Sequence, residues 1–198
     1  MINIPVNVRQ LGYAPDISQW QPGDLILVSE VTPGIISRAI TQTQLRMGFA
    51  QIDARWQHAA MYIGKDLICE ATRDGVKAVH LYKYLTKPHL IRLRREPTLS
   101  DVQRLQMVVE ALQMLSYQYS VGSVYNLVWR NWRRRFGLLN GPVVLTPGAT
   151  ICSQMYNDAF GLAHGQPAVF TPHWTVTPAD LSRTPNLQDV PSLQWVQI

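Results

Sequence analysis

Two short apolar stretches joined by Gly64-Lys65-Asp66 constrain this chain more than any other feature: His58-Ala59-Ala60-Met61-Tyr62-Ile63 before the turn and Leu67-Ile68-Cys69-Glu70-Ala71 after it. Each is too short for an amphipathic helix and each is bounded by turn residues, so the pair predicts a β-hairpin. Side chains on strands alternate between faces with period two, and the loop length therefore decides which residues share a face. With a three-residue loop, Ile63 lies opposite Leu67, His58 lies opposite Thr72, and Glu70 sits diagonally across from His58 on the same face. A two-residue loop instead puts Cys69 on the face of His58.

The flanking sequence extends this hairpin into a sheet. Gln21-Pro22-Gly23-Asp24 is a turn that feeds Leu25-Ile26-Leu27-Val28, predicting a strand over about 24–29. Asp74-Gly75 leads to a third hairpin strand over Val76 to Leu81, and Leu90 to Leu93 adds a fourth. Between residues 32 and 48, Pro33-Gly34 marks a turn and Ile35, Ile36, Ala39 and Ile40 form one face of a short helix. Ser100-Asp101-Val102-Gln103 has the form of a capping box, and Val102, Leu105, Val108, Val109, Leu112 and Leu115 then recur at helical spacing, predicting a helix over about 101–116. The glycine and proline content of 137–149 indicates a loop. A second helix is expected from a cap near Thr150 to a stop near Gly161, with the Pro- and Thr-rich remainder wrapping the surface. Apolar residues make up 46% of the 198 residues and charged ones 16%, enough to bury one core. The expected class is α+β, a central antiparallel sheet packed against helices, in a single domain over 1–198.

Cys152 falls in the opening turn of the second predicted helix, where unpaired backbone N–H groups and the positive end of the macrodipole favour a thiolate. It also heads the apolar line Cys152, Met155, Tyr156, Ala159, Phe160, so the sulfur is expected to face the sheet. Position alone favours a small buried hydrophobe over a nucleophile. His58 could likewise be an ordinary strand-edge histidine, and Glu70 a solvated strand carboxylate. Their pairing across a hairpin gives them another use, since a carboxylate on one ring nitrogen leaves the other free to take a thiol proton. His80, His89, His164 and His173 have no defined partner in the sequence and are read as structural or surface residues.

Several chemistries have no support. The chain has no HExxH, CxxC pair or His-rich tract for a metal, no GxGxxG or GxxxxGK[ST] for nucleotides, and no GxSxG, so no cofactor is expected. Its two cysteines, Cys69 and Cys152, do not suggest a disulfide framework. No stretch reaches the roughly 18–20 apolar residues that span a bilayer, and residues 1–7 have neither a basic leader nor an apolar core. Synthesis in the cytoplasm without general secretory export is the expectation.

The motifs resemble those of the circularly permuted papain-like cysteine hydrolases of the NlpC superfamily, which include the bacterial permuted amidases and the lecithin:retinol acyltransferase-like enzymes. The resemblance runs from Pro22-Gly23-Asp24-Leu25-Ile26 through HAAMYIG at 58–64 and Ile68-Cys69-Glu70-Ala71 to Ile151-Cys152-Ser153-Gln154-Met155, and closes on Val176-Thr177-Pro178-Ala179-Asp180-Leu181, covering about residues 20–181. In that family a histidine opens a strand, a polar residue follows twelve positions later, and the nucleophilic cysteine heads a later helix; here His58 and Glu70 are twelve apart. The order His, Glu, Cys distinguishes the permuted form from papain, in which the cysteine comes first. Two departures stand out: Tyr119 to Thr150 is longer than the connection expected, and ICSQMYND replaces the NCEHF-type run of the vertebrate acyltransferase-like branch.

The resemblance implies a papain-like, circularly permuted fold in which Cys152 attacks a carbonyl, His58 shuttles the proton and Glu70 orients the imidazole. It implies an amide substrate, peptide or peptidoglycan, because Glu70 and the closing segment fit the amidase branch; lipid ester hydrolysis or acyl transfer is the alternative, and a non-catalytic binding module on the same fold a second. Trp129, Arg130, Trp132, Arg133, Arg134 and Arg135 form a basic aromatic cluster that suits peripheral contact with an anionic membrane, although a solvated basic stretch over packed aromatics accounts for it equally. A net charge of +5 is modest for a nucleic-acid binder. An envelope or membrane substrate combined with the missing leader fits an antibacterial effector delivered by a specialised secretion system.

Overall fold

The computed structural model of the chain describes residues 10, 12–85, 89–119, 149–171, 175–190 and 195–197. The expected loop over 137–148 and the basic aromatic cluster at 129–136 lie outside the described residues. In chain order the elements are β1 (Tyr13–Pro15), β2 (Leu25–Glu30), α1 (Ile35–Arg46), α2 (Gln51–Ala54), β3 (His58–Gly64), β4 (Leu67–Thr72) and β5 (Gly75–His80), followed by a 3-10 turn at Leu81–Tyr84. Then come β6 (His89–Arg95), α3 (Asp101–Gln113) with a 3-10 extension at Met114–Ser116, β7 (Gln118–Tyr119), β8 (Ala149–Thr150), α4 (Cys152–His164), α5 (Pro178–Arg183), β9 (Gln188–Asp189) and β10 (Trp195–Gln197).

The fold is α+β, built on a six-stranded antiparallel sheet in the order β5-β4-β3-β2-β6-β9. Alternation splits its side chains into two clusters. Leu25, Leu27, Ala59, Met61, Cys69 and Ala71 face α3 and α4, whereas Ile26, Val28, Ala60, Tyr62 and Ile68 face the other way, against Trp20, Leu81 and Tyr84. Both faces are covered, which is why these strands read as continuous apolar runs instead of alternating ones.

The β3–β4 turn resolves the register in an unexpected way. Gly64 pairs with Leu67, so the loop is the two-residue Lys65-Asp66, with Lys65 at φ 58°. A bulge between Tyr62 and Gly64 then shifts the ladder, and Tyr62 pairs with Ile68 and Met61 with Cys69. The extra residue in the bulge restores the register of a three-residue loop. Glu70 therefore shares its face with His58 while Cys69 faces α3 and α4.

The Pro22-Gly23-Asp24 motif locks the sheet to the helices. Gly23 has φ +87°, and a Cβ there would lie 3.3 Å from Met107 Sδ on α3, so both backbone angle and close approach require glycine. Asp24 is fully buried and accepts a forked pair of bonds from Arg95 Nε and Nη2, each 2.6 Å, and a third from the Gln21 N–H at 2.8 Å. Arg104 of α3 lies 4.0 Å from the same carboxylate and donates to Glu96 O at 2.8 Å.

Arg104 also explains why α3 departs from its expected face. The capping box of Ser100 and Gln103 is present, but Arg104, Met107, Val108 and Ala111 are buried, while Val102 is 74% exposed and Leu105, Val109, Leu112 and Leu115 are partly or largely so. Two neighbouring stripes at helical spacing were available. The one that carries Arg104 to Asp24 and slim Ala111 to the sheet turns inward.

Three other expectations are corrected. The segment after Pro33-Gly34 forms a full twelve-residue helix, α1, instead of a short one. Helix α4 is capped by Ile151 without a side-chain bond, and runs past Gly161 to His164. Gly161 is instead a contact position, where an added Cβ would meet Pro167 at 3.5 Å; Gly165, at φ +85°, ends the helix in the left-handed conformation. Finally, much of the C-terminal part is buried: Val176, Thr177, Ala179, Leu181 and Leu187 are almost wholly inaccessible. Thr177 and Asp180 form a capping box on α5, with Pro178 in its first turn. Gln44 of α1 accepts from the Ala179 N–H and donates to Ala54 O and Trp56 O, tying α5 to α1 and to the entry of β3.

Replacing Asp24 by Ala leaves Arg95 and Arg104 facing a void without their carboxylate, and is expected to cost on the order of 3–5 kcal/mol. Equilibrium urea unfolding measures this, and Asp24→Asn should recover only part of the loss.

Candidate active site

The side chains of Cys152, His58 and Glu70 come together at one end of the sheet although they start on different sides of it. Cys152 is the first residue of α4, on the face covered by the helices. His58 is the first residue of β3, so its ring reaches past the end of the strand. Glu70 is in the middle of β4 on the opposite face, with its side chain 1% exposed.

His58 Nε2 lies 3.0 Å from Glu70 Oε2, which leaves Nδ1 for Cys152, and a side-chain hydrogen bond links the thiol and the imidazole. The backbone N–H groups of Ala59 and Ser153 donate to the same sulfur. Burial pushes the Cys152 thiol up, but the charge on His58, the bond to it and these two N–H donors outweigh burial and hold the thiol below its ordinary range. Burial likewise pushes His58 down, yet the Cys152 thiolate and the Glu70 carboxylate together raise it to about 10. Each shift favours the charged form of its group.

Glu70 has more partners than its hairpin neighbour. Lys83 donates to Oε1, and the Tyr84 hydroxyl donates to Oε2, the oxygen that also faces His58. Burial raises the Glu70 carboxyl, but His58, Lys83 and Tyr84 more than compensate and bring it to about 2. The Tyr84 phenol is itself pushed well up by burial and by Glu70. Its ring lies 6.1 Å from the His58 ring and 5.4 Å, edge-on, from His89. Neither Lys83 nor Tyr84 was legible beforehand, because the 3-10 turn that carries them has no motif and folds back over β4 only in three dimensions.

The second cysteine is in a different environment. Cys69 is fully buried against Ala111 O and Met155, and burial pushes its thiol up to about 12. Both cysteines are free thiols. Of the other histidines, His80 pairs with Asp66 at 2.9 Å, His164 stacks near Phe160, and His89 bonds the Tyr84 carbonyl and lines the cavity described next. Of the four histidines read as structural or surface residues, His89 lines this cavity; His173 lies outside the described residues.

A cavity of about 290 Å³ opens on Cys152 and His58. Its wall is largely apolar, with Val28, Ile36, Ile40, Ile151 and Pro178, and Gln57 and Arg73 supply polar groups. The Gln57 amide is already engaged, accepting from the Glu30 N–H at 2.8 Å and donating to Thr41 at 3.1 Å. Among the described residues no group of three or more His, Cys, Asp or Glu side chains could hold a metal ion, and no helix is long and apolar enough to cross a membrane.

The low Glu70 value makes a stability prediction with a definite sign. A carboxyl held at about 2 in the fold against 4.5 ordinarily stabilises the protein fully above pH 4.5, and that contribution is lost as pH falls toward about 2. Urea unfolding at a series of pH values should show this loss for wild type and a flatter dependence for Glu70→Gln. The same substitution should move alkylation of Cys152 by iodoacetamide to higher pH, because His58 loses its charge partner.

No protein-family model matches the chain, and no curated protein matches it. Among solved structures, the chain is similar to the metalloprotein yiiX from Escherichia coli O157:H7, DUF1105, with a TM-score of 0.48 and 19% identity over 86% of this chain and 96% of that one.

Proposed function

We propose that the protein is a cysteine hydrolase with a circularly permuted papain-like fold, which cleaves an amide bond in a peptide or peptidoglycan-type substrate through a thioester intermediate. The observation that carries this is the hydrogen-bonded line from Cys152 through His58 to Glu70, with the thiol lowered and the imidazole raised. A structural cysteine has no need of such an arrangement, as Cys69 illustrates within the same chain.

In this mechanism the Cys152 thiolate adds to the carbonyl carbon, and the carbonyl π electrons move onto oxygen. The Cys152 backbone N–H, in the first turn of α4, is the natural donor to that oxyanion. Collapse of the tetrahedral species reforms the carbonyl and breaks the C–N bond, and His58 gives its proton to the departing amine. Water then attacks the thioester as His58 takes its proton, and the carboxylate product leaves while Cys152 returns as thiolate. Glu70 keeps the imidazole in one orientation throughout and stabilises its charged form. Lys83 and Tyr84 act through Glu70, as positioning residues.

One observation favours a second reading, hydrolysis or transfer of a lipid acyl group by the same three residues. The cavity wall is mostly apolar, and Ile36 within it is 44% exposed, which suits an acyl chain.

Incubating wild type, Cys152→Ala and Cys69→Ala with peptidoglycan fragments and with phospholipid vesicles, and reading products by mass spectrometry, separates these readings. Cleaved amides in wild type and Cys69→Ala, with none from a folded Cys152→Ala, is the expected result. Released or transferred fatty acid puts the lipid reading first. An active Cys152→Ala protein, or a Cys152 inert to iodoacetamide at neutral pH, sinks the proposal and favours a binding module.

A further inference from the structure

The cavity beside Cys152 contains a guanidinium that the proposed mechanism leaves unused. Besides Cys152, His58 and Tyr84, which the mechanism uses, three residues that line the cavity can carry charge: Glu30, Arg73 and His89. His58 belongs to the line from Cys152 to Glu70. Glu30 accepts the Gly34 N–H at 2.9 Å, and His89 faces the Tyr84 carbonyl at 3.1 Å. Arg73 is exposed and has no hydrogen-bond, ion-pair or ring partner among the described residues. The adjacent carboxylate, Asp74, is already held by Lys77 Nζ at 2.8 Å.

The location of Arg73 is set by rigid elements. It occupies the two-residue turn between β4 and β5, where Thr72 pairs with Gly75 and its hydroxyl donates to Gly75 O at 3.3 Å. The pairing of Met61 with Cys69, carried on to the strand ends, brings Thr72 beside His58. The turn therefore projects just beyond the end of the sheet at which the thiol and imidazole meet. The planar fork of a guanidinium there suits a carboxylate bound through two parallel bonds.

We propose that Arg73 is a specificity-determining residue that binds a carboxylate next to the scissile carbonyl, so that the preferred substrate is an acidic peptide amide. This rests on the assignment of Cys152 as nucleophile. Arg73 takes no part in bond making; its contribution is to hold the substrate and to favour anions at the thiolate.

Alkylation of Cys152 tests the charge without a known substrate. The rate with anionic iodoacetate relative to neutral iodoacetamide is measured by mass spectrometry for wild type, Arg73→Gln and Arg73→Lys, with circular dichroism to verify the fold. The ratio should fall roughly threefold or more in Arg73→Gln, stay near wild type in Arg73→Lys, and decline with added salt in wild type. An unchanged ratio in Arg73→Gln overturns the inference, even where iodoacetamide reacts normally and the nucleophile assignment stands. Failure of both reagents removes that assignment, and this inference with it.

A protection assay identifies the anion. A blocked peptide with one glutamate should slow iodoacetamide alkylation of wild type more than its glutamine counterpart does, and the difference should vanish in Arg73→Gln. Protection by phosphatidylglycerol vesicles but not by the peptide, or by neither, overturns the carboxylate assignment.

Discussion

The buried Glu70 carboxylate is the point on which the site depends. A carboxylate with almost no exposed surface is tolerated only where donors replace the water it has lost, and Glu70 has three: the His58 ring, the Lys83 ammonium and the Tyr84 hydroxyl. Those bonds fix the carboxylate, and the carboxylate fixes the imidazole. They also anchor the 3-10 turn that closes this face of the sheet, so the demand for satisfied polar groups and the geometry at Cys152 have the same origin.

The end of the sheet is where two otherwise separate layers can cooperate. Helix α4 packs against one face, and Glu70 lies under the other. Along the strands the sheet separates them, but β3 begins at His58 and does not extend beyond it. His58 occupies that position and bridges the faces. The arrangement pairs a nucleophile at a helix N-terminus with a base on a rigid strand, and each draws its orientation from a different packed layer. Gln44 and the capped start of α5 close the same end, which is why the C-terminal segment is buried there and not spread over the surface.

Legibility in the sequence varied with the range of the forces involved. The turn at Pro22-Gly23-Asp24, the hairpin and the capping box at Ser100 were plain because each is set by neighbours within a few residues. The inward face of α3 was not, since the burial of Arg104 depends on Asp24, eighty positions away. Gly161 was mistaken for a helix stop because a contact glycine and a terminating glycine look alike until Pro167 is seen against it. Lys83 and Tyr84 left no signal, and Arg73 differed in no way from any exposed arginine.

What the sequence determined by itself was the set of candidate residues, Cys152, His58 and Glu70, and the α+β class, because spacing, turn residues and helix-end chemistry are local properties. Only the tertiary structure decided that the three meet. A two-residue loop would by itself have brought Cys69 to the face of His58, and a single bulge at Ile63 reversed that outcome. Only the tertiary structure, too, distinguished the thiols: burial and the nearby Glu70 charge raise Cys69, whereas at Cys152 the His58 ring and two backbone donors overcome burial. Charge stabilisation of that kind depends on distances of a few ångströms between segments far apart in the chain, and no one-dimensional pattern records them.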